Sequence, residues 1–280
     1  MSARKTQNLS QVILWIILSS FALTMVIPFF WMVVTSFDDA SRLQIGFPPS
    51  FWPRRPSLLA YEMVFGNIPM MRYIINSLIV SGGVIIVSVT SALAAGYALS
   101  KIPFKGRTAI LLGSLATLMV PFEVTMVPQF FLFNAMNLTN TYWAFYLPAI
   151  TYVFGTFFAK QYFDSIPDSF RESAMIDGAN DIYICARIYI PLCGALVATL
   201  VVLQFLASWN DFLWPMIILN SAERFTVQVG VALFTWDRGM NQMPSIRMAS
   251  TVIVIIPVLI MYLFLQRYIV ESIALSGVKQ

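Results

Sequence analysis

Few residues in this chain are of types that do chemistry. Histidine is absent from all 280 residues. That removes His general bases, His-ligated metals and Ser-His-Asp triads. The two cysteines, Cys185 and Cys193, stand eight residues apart. On a helix that is roughly 12 Å, from a rise of about 1.5 Å per residue, and a disulfide needs Cα atoms within about 7 Å. No zinc spacing is present, so both read as packing residues. A Walker A sequence is absent, so any nucleotide chemistry belongs to another chain. What remains is two carboxylates inside apolar runs, Glu123 and Asp211, the second flanked by Trp209, Asn210 and Trp214. Charges in such surroundings are costly and are functional candidates by default. Carboxylates accept hydrogen bonds from sugar hydroxyls and aromatic rings stack on sugar faces. The same groups equally suit helix cross-links or a wet membrane interface, where Trp is enriched.

The elements that hold these residues must suit lipid. The chain is 59% hydrophobic and 11% charged, against about 25% charged in soluble domains. Six apolar runs, about 12–35, 74–100, 108–134, 142–163, 190–219 and 249–269, are each long enough to cross a bilayer with about 20 helical residues. The first is longer than a signal-peptide core and lacks a clear cleavage site, so it reads as an uncleaved span. Lipid-exposed backbone must satisfy its own hydrogen bonds, which makes the spans helical. The expected fold is all-α, a polytopic transmembrane helical bundle of about six spans in one domain over 1–280. Pro28, Pro121, Pro128, Pro148, Pro215 and Pro257 fall within or near the runs and predict kinks or breaks. Counted from Thr108 and Leu192, Glu123 and Asp211 lie about 20 Å or more from the inner edge.

Lys101, Lys105, Arg107, Arg171 and Arg187, with Arg4, Lys5, Arg267 and Lys279, fall on one side. That side is expected to be cytoplasmic, with both termini inside. The net charge of +4 is scattered and forms no nucleic-acid patch. Three soluble pieces follow: external loops at about 38–72 and 220–247, and a cytoplasmic loop at about 164–189.

The cytoplasmic loop is the most informative stretch. Ser169 and Glu172 have the spacing of a capping box, predicting a helix from about Phe170. Gly178 is placed to end it. Asn180 or Asp181 can cap a second short helix running to Pro191. Ala174 and Gly178 are four apart and share a face, leaving a surface with little side chain beside Glu172 and Asp177. This suits a knob seated in a partner's groove. It equally suits a helix pair lying on headgroups or a plain connection.

The stretch Glu172-Ser-Ala-x-x-x-Gly178, nine residues, then Ile188-x-Ile190-Pro191 resembles the EAA loop of bacterial ATP-binding-cassette (ABC) importer permeases. Ser173 stands for Ala and Ile190 for Leu. Ser208-Trp-Asn-Asp-Phe-Leu-Trp-Pro215 is similar to the Trp-Asn-x-Phe-x-x-Pro signature of the carbohydrate-uptake group, specifically its maltose-type second permease. Ile166-Pro-Asp168 and the tail from Gln266 to Lys279 resemble that group too.

The resemblance implies a type I ABC importer-like permease with a short cytoplasmic coupling helix pair. It implies a heterodimer with a second permease subunit, two ATPase subunits beneath and an extracytoplasmic sugar-binding protein above. ATP and Mg would be bound by the ATPase, with no cofactor on this chain. Glu172, Ser173, Ala174, Asp177, Gly178 and Pro191 would form the ATPase-coupling surface, Glu172 pairing with a basic residue of the ATPase. Ser276 and Gly277 in the tail would also touch it. The loop at 220–247 would face the sugar-binding protein. Glu123, Trp209, Asn210, Asp211 and Trp214 are the candidate substrate path. The alternatives are an ion-coupled secondary transporter, which would need no ATPase, and a membrane-embedded enzyme, which would have to work without His.

Overall fold

A computed structural model describes residues 2–46, 50–237 and 243–277, with backbone alone for residues 2–10, 236–237, 265 and 267–277. Among the described residues the regular structure is helical, with one isolated antiparallel bridge between Asp38 and Pro56. The chain divides into two compact units, Met1–Met70 with Val231–Ile256, and Met71–Gly230 with Pro257–Gln280.

In the first unit α1 (Ser2–Ser36) carries an apolar stretch, Gln11–Ser36, with mean hydropathy 2.3. Its side chains from Gln11 to Phe30 are all exposed, as befits a helix whose solvent is lipid. The chain leaves α1 through a polar knot. Asp38 is 3% exposed. Its Oδ1 accepts the amides of Arg55 at 2.8 Å and Ala40 at 3.3 Å, and its Oδ2 accepts the Ser41 hydroxyl at 2.8 Å. The Phe37 ring lies 5.0 Å from Tyr61, in the helix α2 (Leu59–Asn67). The expected external loop at 38–72 is therefore partly helical.

The second unit is organised on α3 (Met70–Lys101), a 32-residue helix. It is followed by α4 (Arg107–Thr117), α5 (Phe122–Ala135), α6 (Trp143–Ala149) and α7 (Val153–Asp164). α3 and α7 meet through small residues. Ala92 and Ala159 are 0% exposed, and a Cβ on Gly96 would stand 2.6 Å from the Ala159 Cβ. In membranes such close backbone approach supplies the packing that hydrophobicity cannot. Then come α8 (Ser169–Ile176), α9 (Asp181–Ile184), a π-helical turn Cys185–Tyr189 and α10 (Ile190–Leu192), followed by α11 (Gly194–Trp209) and α12 (Leu213–Ile218). α13 (Val227–Asp237) and α14 (Pro244–Gly277) complete the chain. The expected loop at 220–247 thus contains α13, with α14 beginning inside it.

Three helical stretches can cross a bilayer unbroken, Gln11–Ser36, Met70–Lys101 and Pro244–Phe264. Two bent pairs do so only together, Arg107–Thr117 with Phe122–Ala135 at 98°, and Asp181–Leu192 with Gly194–Trp209 at 87°. The run at 142–163 is divided between α6 and α7, each too short alone. Of the about six expected spans, three are unbroken among the described residues, and up to five are present counting each bent pair as one. The physical reason lies at the prolines. Residues 118–120 bond back three positions, Val120 N to Thr117 O at 3.2 Å, and Pro121 then has no amide to continue the ladder. Pro148 and the extended Tyr152 (ψ 77°) part α6 from α7.

Burial alone would raise the Asp38 carboxyl, but the Arg55, Ser41 and Ala40 hydrogen bonds outweigh it and hold it below its ordinary value. A depressed folded-state pKa gives stability present above the unfolded value, about 3.9, and lost as pH falls through the folded value. Asp38→Ala should destabilise the protein by about 2 kcal/mol at pH 7. The gap between wild type and variant should narrow at pH 3, read by thermal unfolding in detergent. A gap unchanged between the two pH values would contradict this role.

Candidate functional site

The helix pair α8–α9 is built by its ends. α8 closes through Gly178, whose φ of +83° is left-handed. Gly178 N donates to Met175 O at 3.0 Å and Ala179 N to Ala174 O at 2.9 Å, the two bonds of a Schellman turn. Asn180 caps α9, its Oδ1 accepting Tyr183 N at 2.8 Å. The expected capping box at the start of α8 does not form. The helix begins at Ser169, and its cap residue Asp168 keeps helical backbone with no side-chain cap bond. The Ser169 hydroxyl is therefore already inside the first turn. The Asp168 carboxylate is taken instead by Lys101.

That Lys101 contact belongs to a joint between the helix pair and the end of α3. Lys101 Nζ donates to Ile166 O and Asp168 Oδ1, both at 2.6 Å, and lies 5.6 Å from the Tyr189 ring centre. Its side chain is 4% exposed, so the charge rests on these acceptors. One turn back, Tyr97 OH donates to Asp181 Oδ1 at 2.9 Å. Arg171 grips the same carboxylate with Nε at 2.9 Å and Nη2 at 3.3 Å, a planar fork that fixes direction as well as distance. Ser100 Oγ donates to Asp164 at 2.6 Å. Beneath these polar ties the rings of Tyr97, Phe163 and Tyr189 meet edge to face at 5.2–6.2 Å. Ala174, Ile184 and Cys185 join the same buried cluster. Lys101 and Tyr97 thus tie the helix pair and its approach to membrane-spanning α3, the Arg171 fork locks α8 to α9, and Ser100 ties α3 to the end of α7.

The outer face is the reverse. Glu172, Ser173, Asp177 and Gly178 are exposed, and Ile176 and Ile182 are 86% and 82% exposed. Ala174 is only 8% exposed. Its small side chain packs against α3 and α7 and not outward as expected, because it lies on the α8 face that covers the aromatic cluster. Pro191 is exposed at the 87° corner into α11. It follows a π-turn in which Ile190 N bonds Cys185 O. Ser276 and Gly277 lie in the last turn of α14, and their side chains fall outside the described residues.

The expected substrate-path residues part company. Asp211 sits in the break between α11 and α12, its Oδ1 accepting Trp214 N at 3.4 Å. Asp211 and Trp214 line a cavity of about 390 Å³. Trp214 is 4% exposed and its Nε1 donates to Ala144 O at 3.1 Å. Trp209 is 1% exposed and stacks on Phe205 at 5.5 Å. Asn210 caps α11, its Nδ2 bonding Leu206 O at 2.9 Å. Glu123 is exposed in the first turn of α5, where a carboxylate suits the helix dipole. Trp209, Asn210 and Glu123 do not line the cavity. Among the described residues no group of His, Cys, Asp and Glu could hold a metal.

A family model described as "binding-protein-dependent transport system inner membrane component" matches residues 1–274. The chain belongs to this family. The family is one of transport permeases, and this member is a multi-pass membrane protein. It is 34% identical to the arabinooligosaccharides transport system permease protein AraQ of Halalkalibacterium halodurans, over 99% of both chains. It is 32% identical to the trehalose/maltose transport system permease protein MalG of Thermococcus litoralis, over 92% of this chain and 93% of that one. Its fold matches that of a bacterial ABC transporter involved in alginate import, with TM-score 0.82 and 24% identity, covering 94% of this chain and 98% of that one.

Sequence reasoning found the helix pair but missed its joint. Lys101 and Arg171 read as topology signals because a basic residue near a span end is ordinarily one. Only the fold brings Lys101 to Asp168, 67 positions away. Lys101→Met should loosen α8, raising hydrogen exchange of amides 166–181 about tenfold. Gly178→Ala, which forces a side chain into left-handed backbone at about 1–2 kcal/mol, should fray the same helix. Mass-spectrometric exchange on the purified protein checks both. Protection equal to wild type in Lys101→Met would show that the aromatic cluster alone holds the pair.

Proposed function

We propose that this chain is one transmembrane subunit of an ATP-driven importer of a carbohydrate, whether monosaccharide, oligosaccharide or sugar derivative. The observation that carries the mechanism is the α8–α9 pair, rigidly joined inward and bare outward. A partner that binds its outer face can move α3 through Lys101 and Asp181, and α11 through the corner at Pro191. The proposed partner is an ATPase, two copies of which bind ATP and Mg. Their closure rocks the spans between inward-open and outward-open states, a rigid-body motion. A floppy loop would absorb that stroke. The names of AraQ and MalG, relatives matched over nearly their whole length, support a carbohydrate as cargo.

A second permease subunit completes the path as a heterodimer, and an extracytoplasmic sugar-binding protein delivers the cargo. Lipid is the remaining partner, with no role for nucleic acid. Two observations support the orientation. The Lys101 bonds bring the basic turn after α3 and the helix pair to one end of that helix. At its other end, Asn76 Nδ2 donates to Glu223 O at 2.9 Å and Phe225 O at 3.0 Å, and Ser77 Oγ accepts Val227 N at 2.8 Å. The first end is assigned to the cytoplasm of a bacterial inner membrane, with both termini, and the 220–227 segment to the sugar-binding protein. Glu172, Asp177 and Gly178, with exposed Ser173 and Pro191, form the ATPase-facing surface.

Affinity purification of the tagged chain in mild detergent tests this reading. A second permease and an ATPase should come with it. Glu172→Lys combined with Gly178→Trp should lose the ATPase and abolish uptake while the chain still inserts. A chain that purifies alone yet transports in sealed vesicles without ATP would replace this reading with an ion-coupled secondary transporter.

A further inference from the structure

We propose that the cavity at the α11–α12 break is a sugar-binding subsite of this chain, built for a neutral sugar unit and closed to uronic acids and sugar phosphates. The proposal deepens the reading of carbohydrate import and rests on it. The first support is unmet hydrogen bonding. Gln129, Tyr152, Gln204 and Ser208 line the cavity and are half-buried. Among the described residues their side-chain polar groups find no partner. Half-buried amides and hydroxyls without protein partners require water or a polar ligand. Together they offer both donors and acceptors, the mixture that hydroxyl groups of a sugar can satisfy.

The second support is the wall. Trp214 is held by the bond from Nε1 to Ala144 O at 3.1 Å and by an edge-to-face contact with Phe122 at 5.9 Å. Trp214 is itself buried, so the aromatic surface at the cavity is the Phe122 ring it fixes, 41% exposed. Such a surface beside polar groups suits a sugar, which has an apolar ring face and a polar rim. The cavity of about 390 Å³ lies within the ordinary range for small-ligand sites, about 300–1,000 Å³.

The third support is charge. Asp211 has no ion-pair partner among the described residues, and no Lys or Arg lines the cavity. A carboxylate with no compensating cation accepts hydrogen bonds from hydroxyl groups and repels a second anion in a low-dielectric site. Asp211 thereby selects by repulsion as well as by attraction.

The test uses the complete transporter in proteoliposomes, with its own second permease, ATPase and sugar-binding protein. Uptake is measured with labelled arabinotriose, maltose, lactose and trigalacturonate at saturating binding protein. A neutral saccharide should enter and trigalacturonate should not. Gln204→Leu and Asp211→Asn should each lower the maximal uptake rate about tenfold, while subunit assembly and ATPase activity persist. If Asp211→Asn fails to assemble, Gln204→Leu decides. Unchanged uptake in the assembled variants would overturn the subsite and leave a water-filled gap, with carbohydrate import intact. Entry of trigalacturonate would overturn the charge selection while also leaving carbohydrate import intact. Uptake of none of the four sugars by the assembled wild-type transporter would overturn a subsite built for these neutral sugar units, while import of another class of carbohydrate would stand.

Discussion

A helix broken inside hydrocarbon leaves amides and carbonyls that lipid cannot satisfy. Each break must therefore be covered by protein or open onto a polar space. The corner beside the helix pair and the cavity both lie at breaks in the helices. At the corner between α10 and α11, the π-turn bond from Ile190 N to Cys185 O and the bond from Cys193 N to Ile190 O carry the backbone round Pro191. At the gap between α11 and α12, Asp211 and Asn210 serve the backbone with their own side chains. The first break turns the chain from the helix pair into α11, and the second opens a cavity.

The joint at the end of α3 combines two kinds of force with different tasks. The Tyr97, Phe163 and Tyr189 rings and the small residues Ala174 and Ala159 supply buried contact without direction. The Arg171–Asp181 fork and the Lys101 bonds supply direction at the rim. Asp168 is largely exposed, so its pair with Lys101 adds little by attraction alone. Its value is geometric, because the buried ammonium has few other acceptors to choose. A stroke applied to α8 therefore meets a stiff connection.

α3 serves both ends of the second unit. Near its start, Asn76 and Ser77 hold the segment leading into α13, and near its finish Tyr97 and Lys101 hold the coupling pair. From Asn76 to Lys101 is roughly 37 Å at a rise of about 1.5 Å per residue, more than the thickness of the hydrocarbon. One continuous helix thus spans the distance between the surface proposed for the delivery protein and the surface proposed for the ATPase. Its neighbours are broken where it is whole.

The sequence by itself determined the solvent, the helical class and the α8–α9 helix pair. Those features depend on composition, on period and on local punctuation such as Gly178 and Asn180, which act within a turn or two. The sequence also placed Asp211 and Trp214 beside a candidate path, since they are neighbours along the chain. It could not show that Trp209, the last residue before the break, faces the core, or that Ala174 does. A residue's face relative to distant helices is set by packing, and local period leaves it open. The prolines marked where runs could break, but the tertiary structure alone decided that Lys101 would close on Asp168, and that Gln129 would share one cavity with Gln204 and Asp211. Each of these brings together residues tens of positions apart, which only the packing of helices can do.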